Sequence, residues 1–113
     1  MCGIIGIAST KNVSSSILNS LRKLEYRGYD SAGIATLESG IIKEIKCEGR
    51  VDVLESNLSK QNLEGNVGIG HVRLATHGVP SIINAHPHSS DKVSVVHNGI
   101  IENSTLLKKL LIK

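Results

Sequence analysis

The sequence predicts an α+β domain in which helices cover an antiparallel sheet. Two observations lead there. β-rich runs at residues 34–38 and 41–46 are separated only by Ser39-Gly40, a two-residue turn signal that joins antiparallel strands. Around this hairpin lie segments whose leucines and isoleucines recur at helical spacing. At 113 residues the chain makes at most one domain, and a chain of that size buries only about two thirds of the surface its unfolded form exposes. Phe and Trp are absent, so the core must be built from Ile, Leu, Val and Ala.

Each element has its own reason. Residues 2–8 are Ile-rich and punctuated by Gly3 and Gly6, which reads as a buried strand whose glycines admit close backbone approach, with Cys2 at its exposed end. Ser14, Ser15 and Ser16 supply N-cap oxygens for a helix that carries Ile17, Leu18, Leu21 and Leu24 on one face and runs to about Glu25. The 34–46 hairpin follows. Val51, Leu54 and Leu58 predict a second short helix before Gly65-Asn66. Strands are expected at 67–75 and 92–97, joined by a loop that holds Pro80 and Pro87. Residues 102–113 read as a helix with Leu106, Leu107, Leu110 and Leu111 on one face, and no Gly, Asn or Pro stop signal follows it. The expectation is a chain that ends before its fold does.

Composition narrows the function classes. The net charge of +3 comes from scattered Lys and Arg without stacking aromatics, which argues against a nucleic-acid partner. The apolar run at 4–8 is too short for a signal or membrane span, and no basic segment precedes it. Cys2 and Cys47 show no CxxC spacing and define no disulfide framework, so a reducing cytoplasm fits best. The five histidines match no zinc spacing, His86-Pro87-His88 included, and neither metal nor cofactor is expected.

Four segments carry chemistry. Removal of Met1 leaves Cys2 with a free α-amine, a nucleophile and a base in one residue: a thiol titrates near about 8.5 and an α-amine near about 7.7 to 8.0. Tyr26-Arg27-Gly28-Tyr29-Asp30-Ser31-Ala32-Gly33 holds both tyrosines of the chain, and its residues alone favour a structured turn over a site. In His71-Val72-Arg73-Leu74-Ala75-Thr76-His77-Gly78, strand alternation puts Arg73 on the face opposite Val72 and Leu74. A strand-end Arg suits a carboxylate, and Thr76 and His77 could add hydrogen bonds, although a surface Arg and a solvated His read as naturally. Asn98 and Gly99 end a strand as a candidate oxyanion hole, though Asn-Gly is also a common turn.

Taken together, Met1-Cys2-Gly3-Ile4, residues 26–33, 71–78, Asn84-Ala85-His86-Pro87-His88 and His97-Asn98-Gly99-Ile100-Ile101-Glu102-Asn103 resemble the N-terminal glutaminase domain of the glucosamine-6-phosphate synthase family, over essentially all of the chain. The opening Cys-Gly-Ile is shared by class II glutamine amidotransferases, whereas the 26–33 segment is specific to the synthases. The resemblance implies an N-terminal nucleophile hydrolase fold, two antiparallel sheets between helical layers, here incomplete. It implies that Cys2 attacks the side-chain amide of glutamine, that Asn98 and Gly99 hold the oxyanion, and that Arg73 binds the α-carboxylate beside Thr76 and His77. The products would be glutamate and ammonia, which the family passes to a sugar-phosphate isomerase domain.

By the same resemblance, residues 1–113 are the N-terminal part of a class II amidotransferase domain. The rest of that domain, including the acidic residue that binds the substrate α-amine, and the isomerase domains are absent. Leu74 stands where the family usually has Trp. Glutamine is the implied substrate, with a second chain carrying the rest of the synthase as a possible partner. The alternative expectation is an inactive remnant of a split or truncated gene.

Overall fold

The computed structural model describes residues 2–75 and 79–112. Its centre is a four-stranded antiparallel sheet of β1 (Gly3–Ala8), β2 (Ser31–Glu38), β3 (Ile41–Glu48) and β4 (Val67–Arg73), in the order β1-β4-β2-β3. The predicted hairpin is present and longer than expected. Ser39 and Gly40 both take positive φ, 52° and 79°, the mirror-image turn whose twist matches the flanking strands.

The strand register separates the two faces. Gly3, Val72, Ala32 and Cys47 form one cross-strand row, and Ile5, Gly70, Ile34 and Ile45 form the row two residues further on. Both rows face α1 (Ser14–Leu24) and α2 (Val51–Lys60), whose Ile17, Leu18, Leu21, Val51 and Leu54 complete the buried core. The intervening rows, with Ile4, His71, Gly33 and Lys46 in one of them, point the other way.

α1 lies close on the sheet because β4 presents Gly68 and Gly70 beneath Ile17. A Cβ at Gly70 would stand 2.5 Å from Ile17 Cγ2, and one at Gly68 would stand 2.7 Å from Ile17 Cδ1. The close approach expected in β1 occurs at Gly3, against Leu24, while Gly6 meets nothing nearer than 3.9 Å. The serines at 14–16 do not cap α1. Its N-cap residue is Val13, buried in the core, and the helix starts where packing holds that side chain. α2 is capped from outside its own sequence: Glu25 accepts from the Val51 N–H at 3.0 Å and from Arg50 Nη1 at 3.0 Å.

The face away from the helices carries the second layer. The strand expected at 92–97 shortens to β6 (Ser94–Val95), paired with β5 (His88–Ser89) in a two-stranded antiparallel sheet. Ser89 Oγ donates to Glu44 at 2.5 Å and ties this sheet to β3. α3 (Ser104–Leu111) is shorter than the expected 102–113, and its leucines are 39–83% exposed. Helices over one antiparallel sheet, with a second antiparallel sheet on the opposite face, make the α+β architecture that the sequence predicts.

Candidate active site

Cys2 stands just before β1, and three distant segments meet there. Arg27, in the 3-10 turn Glu25–Arg27 that follows α1, donates from Nε to the Cys2 carbonyl at 2.9 Å. Asn98 donates from Nδ2 to the same oxygen at 3.1 Å. The Cys2 thiol, half-buried, lies 3.9 Å from the Leu74 carbonyl, just past the end of β4. The start of the chain is thus held by a helix-to-strand turn, a strand end and the loop after β6.

The segment at 26–33 is the structured turn that its residues favour, and it supports the site throughout. Gly28 lies against the backbone of Arg73 and Leu74, since a Cβ there would stand 2.5 Å from Arg73 C and 2.6 Å from Leu74 N. The Asp30 N–H donates to the Arg73 carbonyl at 2.8 Å, the Asp30 carboxylate accepts from the Ala75 N–H at 2.6 Å, and the Asp30 carbonyl accepts from the Gly49 N–H at 2.8 Å. Ser31 is fully buried opposite Arg73 in the register of β2 with β4. Gly33 is where a Cβ would run into the His86 carbonyl, so the His86-Pro87 segment can rest directly on the sheet.

Cys2, Arg73 and Gly99 line one cleft of about 300 Å³, together with His71, His86 and His97. Arg73 is 7% exposed and donates to the Val79 carbonyl at 3.1 Å, so it is an oriented cation rather than a solvated surface charge. Gly99 turns the chain with φ of 143°, a conformation that glycine adopts readily and L residues rarely do. Asn98 reaches the cleft through its bond to Cys2. Thr76 and His77 lie outside the described residues.

Sequence reasoning assigned no role to His71, which is fully buried at the centre of this wall. Its Nε2 is 3.0 Å from Asn98 Oδ1, and its ring stacks on His86 with centroids 4.4 Å apart and planes at 22°. His86 in turn is 4.4 Å from the ring of His88. The signal was present: His71 is two residues before Arg73, so in a strand the two share a face. Burial holds His71 at about 4, outweighing the Asn98 hydrogen bond and the His97 backbone, which favour the charged form, and burial together with the neighbouring His71 holds His86 at about 4. Burial and Lys46 also lower His88. His71 and His86 are therefore neutral imidazoles at neutral pH, beside the Arg73 cation.

Among the described residues no group of three or more His, Cys, Asp or Glu side chains is placed to hold a metal ion. No described helix is long and apolar enough to cross a membrane.

The layered antiparallel fold defines a class, and comparison agrees. The chain superimposes on the glutamine phosphoribosylpyrophosphate amidotransferase of B. subtilis, solved with ADP and GMP, with a TM-score of 0.82 and 27% identity over 98% of this chain and 24% of that one. It has the N-terminal nucleophile fold of the glutamine amidotransferases.

Within that class, the sequence matches, along essentially its whole length, the N-terminal part of the glutamine–fructose-6-phosphate aminotransferases. It is 55% identical to the Bartonella henselae enzyme over 113 residues, which is 100% of this chain and 19% of that protein. It is 55% identical to the Clostridium acetobutylicum enzyme across 98% of this chain and 19% of that one. The Mesorhizobium japonicum enzyme is 52% identical over the same 100% and 19%. The chain spans about a fifth of the length of these curated relatives. No protein-family profile matches it.

Proposed function

We propose that this chain is the nucleophile-bearing part of a class II glutamine amidotransferase domain, which releases ammonia from the side-chain amide of glutamine. Once Met1 is removed, the Cys2 thiol attacks the amide carbon and its own α-amine takes the thiol proton, later passing it to the leaving ammonia. Water then hydrolyses the γ-glutamyl thioester to glutamate. The Asn98 amide and the Gly99 N–H stabilise the tetrahedral oxyanion, as neutral donors fixed before charge develops. Arg73 grips the α-carboxylate bidentately, and Thr76 and His77 add hydrogen bonds to the substrate.

The observation that carries this reading is the double restraint on Cys2, whose carbonyl accepts from both Arg27 and Asn98. A reacting thiol needs its backbone held within a fraction of an ångström of the productive position. In keeping with the relatives' name, ammonia would serve amino-sugar synthesis from fructose 6-phosphate, in the cytoplasm, on polypeptide beyond these 113 residues or on a second chain.

The test is glutamate release from glutamine by the purified chain, alone and mixed with the remaining amidotransferase segment of an intact relative, with intact mass establishing the state of Met1. Activity that disappears in Cys2→Ala supports the reading, and equal activity in that variant overturns it. A second reading, a remnant without catalysis, draws on the exposed apolar face of α3. It predicts silence on mixing from a soluble chain that has lost Met1.

A further inference from the structure

We propose that His71 is a positioning residue that sets the orientation of the Asn98 side-chain amide, and thereby the donor that Asn98 presents at Cys2. The inference rests on the reading of Asn98 as an oxyanion donor. An Asn amide has two nearly isosteric orientations, one with nitrogen toward the reacting centre and one with oxygen there. The second would set a carbonyl lone pair against a developing negative charge. Something must therefore choose between them.

The geometry makes the choice at both ends of the amide. Asn98 Nδ2 donates to the Cys2 carbonyl at 3.1 Å, and Oδ1 is 3.0 Å from His71 Nε2. Since Oδ1 can only accept, His71 must carry its proton on Nε2. A flipped amide would set Oδ1 against the Cys2 carbonyl oxygen, acceptor to acceptor, and Nδ2–H against the His71 Nε2–H, donor to donor. His71 is itself held rigidly: it is fully buried on β4, with the ring of His86 stacked on it and Nδ1 without a hydrogen-bond partner among the described residues. Nδ1 makes no hydrogen bond of good geometry among the described residues, whereas Nε2 faces the Asn98 oxygen, which favours the Nε2–H tautomer. Protonation leaves Nε2–H in place, so the link does not depend on the ring staying neutral.

The position in the strand explains why β4 supplies this residue. His71 and Arg73 are two apart and share the face that looks into the cleft, so one rigid strand would place both the carboxylate-binding cation and the support of the oxyanion donor.

The test combines a spectroscopic arm on the full chain with a kinetic arm. In ¹⁵N-labelled wild-type chain, long-range nitrogen–proton spectra should show His71 with a protonated Nε2 and a bare Nδ1 between pH 5.5 and 7.5, on the order of the range in which imidazole ordinarily titrates. An Nδ1–H tautomer overturns the proposal without any variant. His71→Leu removes the donor, whereas His71→Gln places an amide N–H near the former Nε2. The Asn98 side-chain NH₂ pair should be distinct and slow to exchange in wild type, averaged with solvent in His71→Leu, and restored in His71→Gln.

In the complemented glutaminase assay, His71→Leu should lower kcat about tenfold or more with KM for glutamine within about twofold, because the support acts on a transition-state donor. His71→Gln should recover most of that loss. Unchanged kcat in His71→Leu, or a loss that Gln does not rescue, overturns the proposal. If wild type releases no glutamate, or if release survives Cys2→Ala, the glutaminase reading fails, and the NMR arm still decides whether His71 orients Asn98.

Discussion

Asp30 and Arg73 are joined backbone to backbone, the Asp30 N–H donating to the Arg73 carbonyl at 2.8 Å while the Asp30 carboxylate accepts from Ala75 at 2.6 Å. The turn before β2 thus grips the end of β4 and the residues just after it, on both sides of Leu74. Asp30→Ala leaves the Ala75 N–H without its acceptor, which costs about 1 to 3 kcal/mol. Asp30→Asn keeps a side-chain oxygen in place and should cost less. Urea unfolding of the two variants and wild type checks the ranking.

Gly33→Ala and Gly40→Ala separate two uses of glycine. At Gly33 a methyl group would collide with the His86 carbonyl, so the His86-Pro87 segment must lift off the sheet and the His71–His86 stack must open. At Gly40, with φ of 79°, a Cβ meets open space, and the cost is the backbone strain alone, about 1 kcal/mol. Gly33→Ala should be the more destabilising and should move the His71 ring resonances. Gly40→Ala should leave them unchanged.

Acid should unfold this chain through its histidines. His71 and His86 titrate at about 4 when folded, against an ordinary 6.5. Between those values the unfolded chain binds protons that the folded chain refuses, so stability is full above about 6.5 and is lost as pH falls toward 4. For His71 the loss by pH 4 is about 3 kcal/mol, a large part of a typical domain's stability. His86, less buried and coupled to His71, adds a smaller amount. Arg73 and His88 face the same ring and also oppose its protonation. The urea midpoint of wild type should drop steeply from pH 7 to 4.5, and that of His71→Gln should drop less.

The two thiols should behave oppositely. Cys47 is 2% exposed in the core, and burial pushes its thiol up, away from the reactive thiolate. Cys2 is half-buried at the cleft. Iodoacetamide on the folded chain should label Cys2 and spare Cys47, as read by peptide mass spectrometry. Cys2→Ala should abolish any glutaminase activity. Cys47→Ala should cost about 1 kcal/mol of stability and leave that activity largely intact.

Much of the scaffold was readable from residue spacing. The hairpin, expected at 34–46 and found at 31–48, follows from Ser39-Gly40 between β-rich runs, and α1 follows from Ile17, Leu18 and Leu21 on one face, because both patterns reflect periods of the backbone itself. The start of α1 was not readable. Three serines advertise a cap, yet Val13 holds that position because core packing outweighs a local hydrogen bond. The strand expected at 92–97 is shorter in the structure, where only Ser94–Val95 finds a partner strand. Strand length depends on the neighbour as much as on the segment.

By itself the sequence determined most of the helices and strands of the main sheet, though not β5, and the residue types able to do amide chemistry: Cys2, Arg73, Asn98 and Gly99. Local propensity and side-chain chemistry are properties of short segments and travel with them. Only the tertiary structure decided that these segments meet. Cys2 and Asn98 are separated by 96 residues and share a hydrogen bond, and Arg27 closes on Cys2 from 25 residues away. It also turned His71 from one polar residue in a strand into the buried partner of Asn98, since burial and hydrogen-bond geometry exist only once strand, turn and loop are packed together.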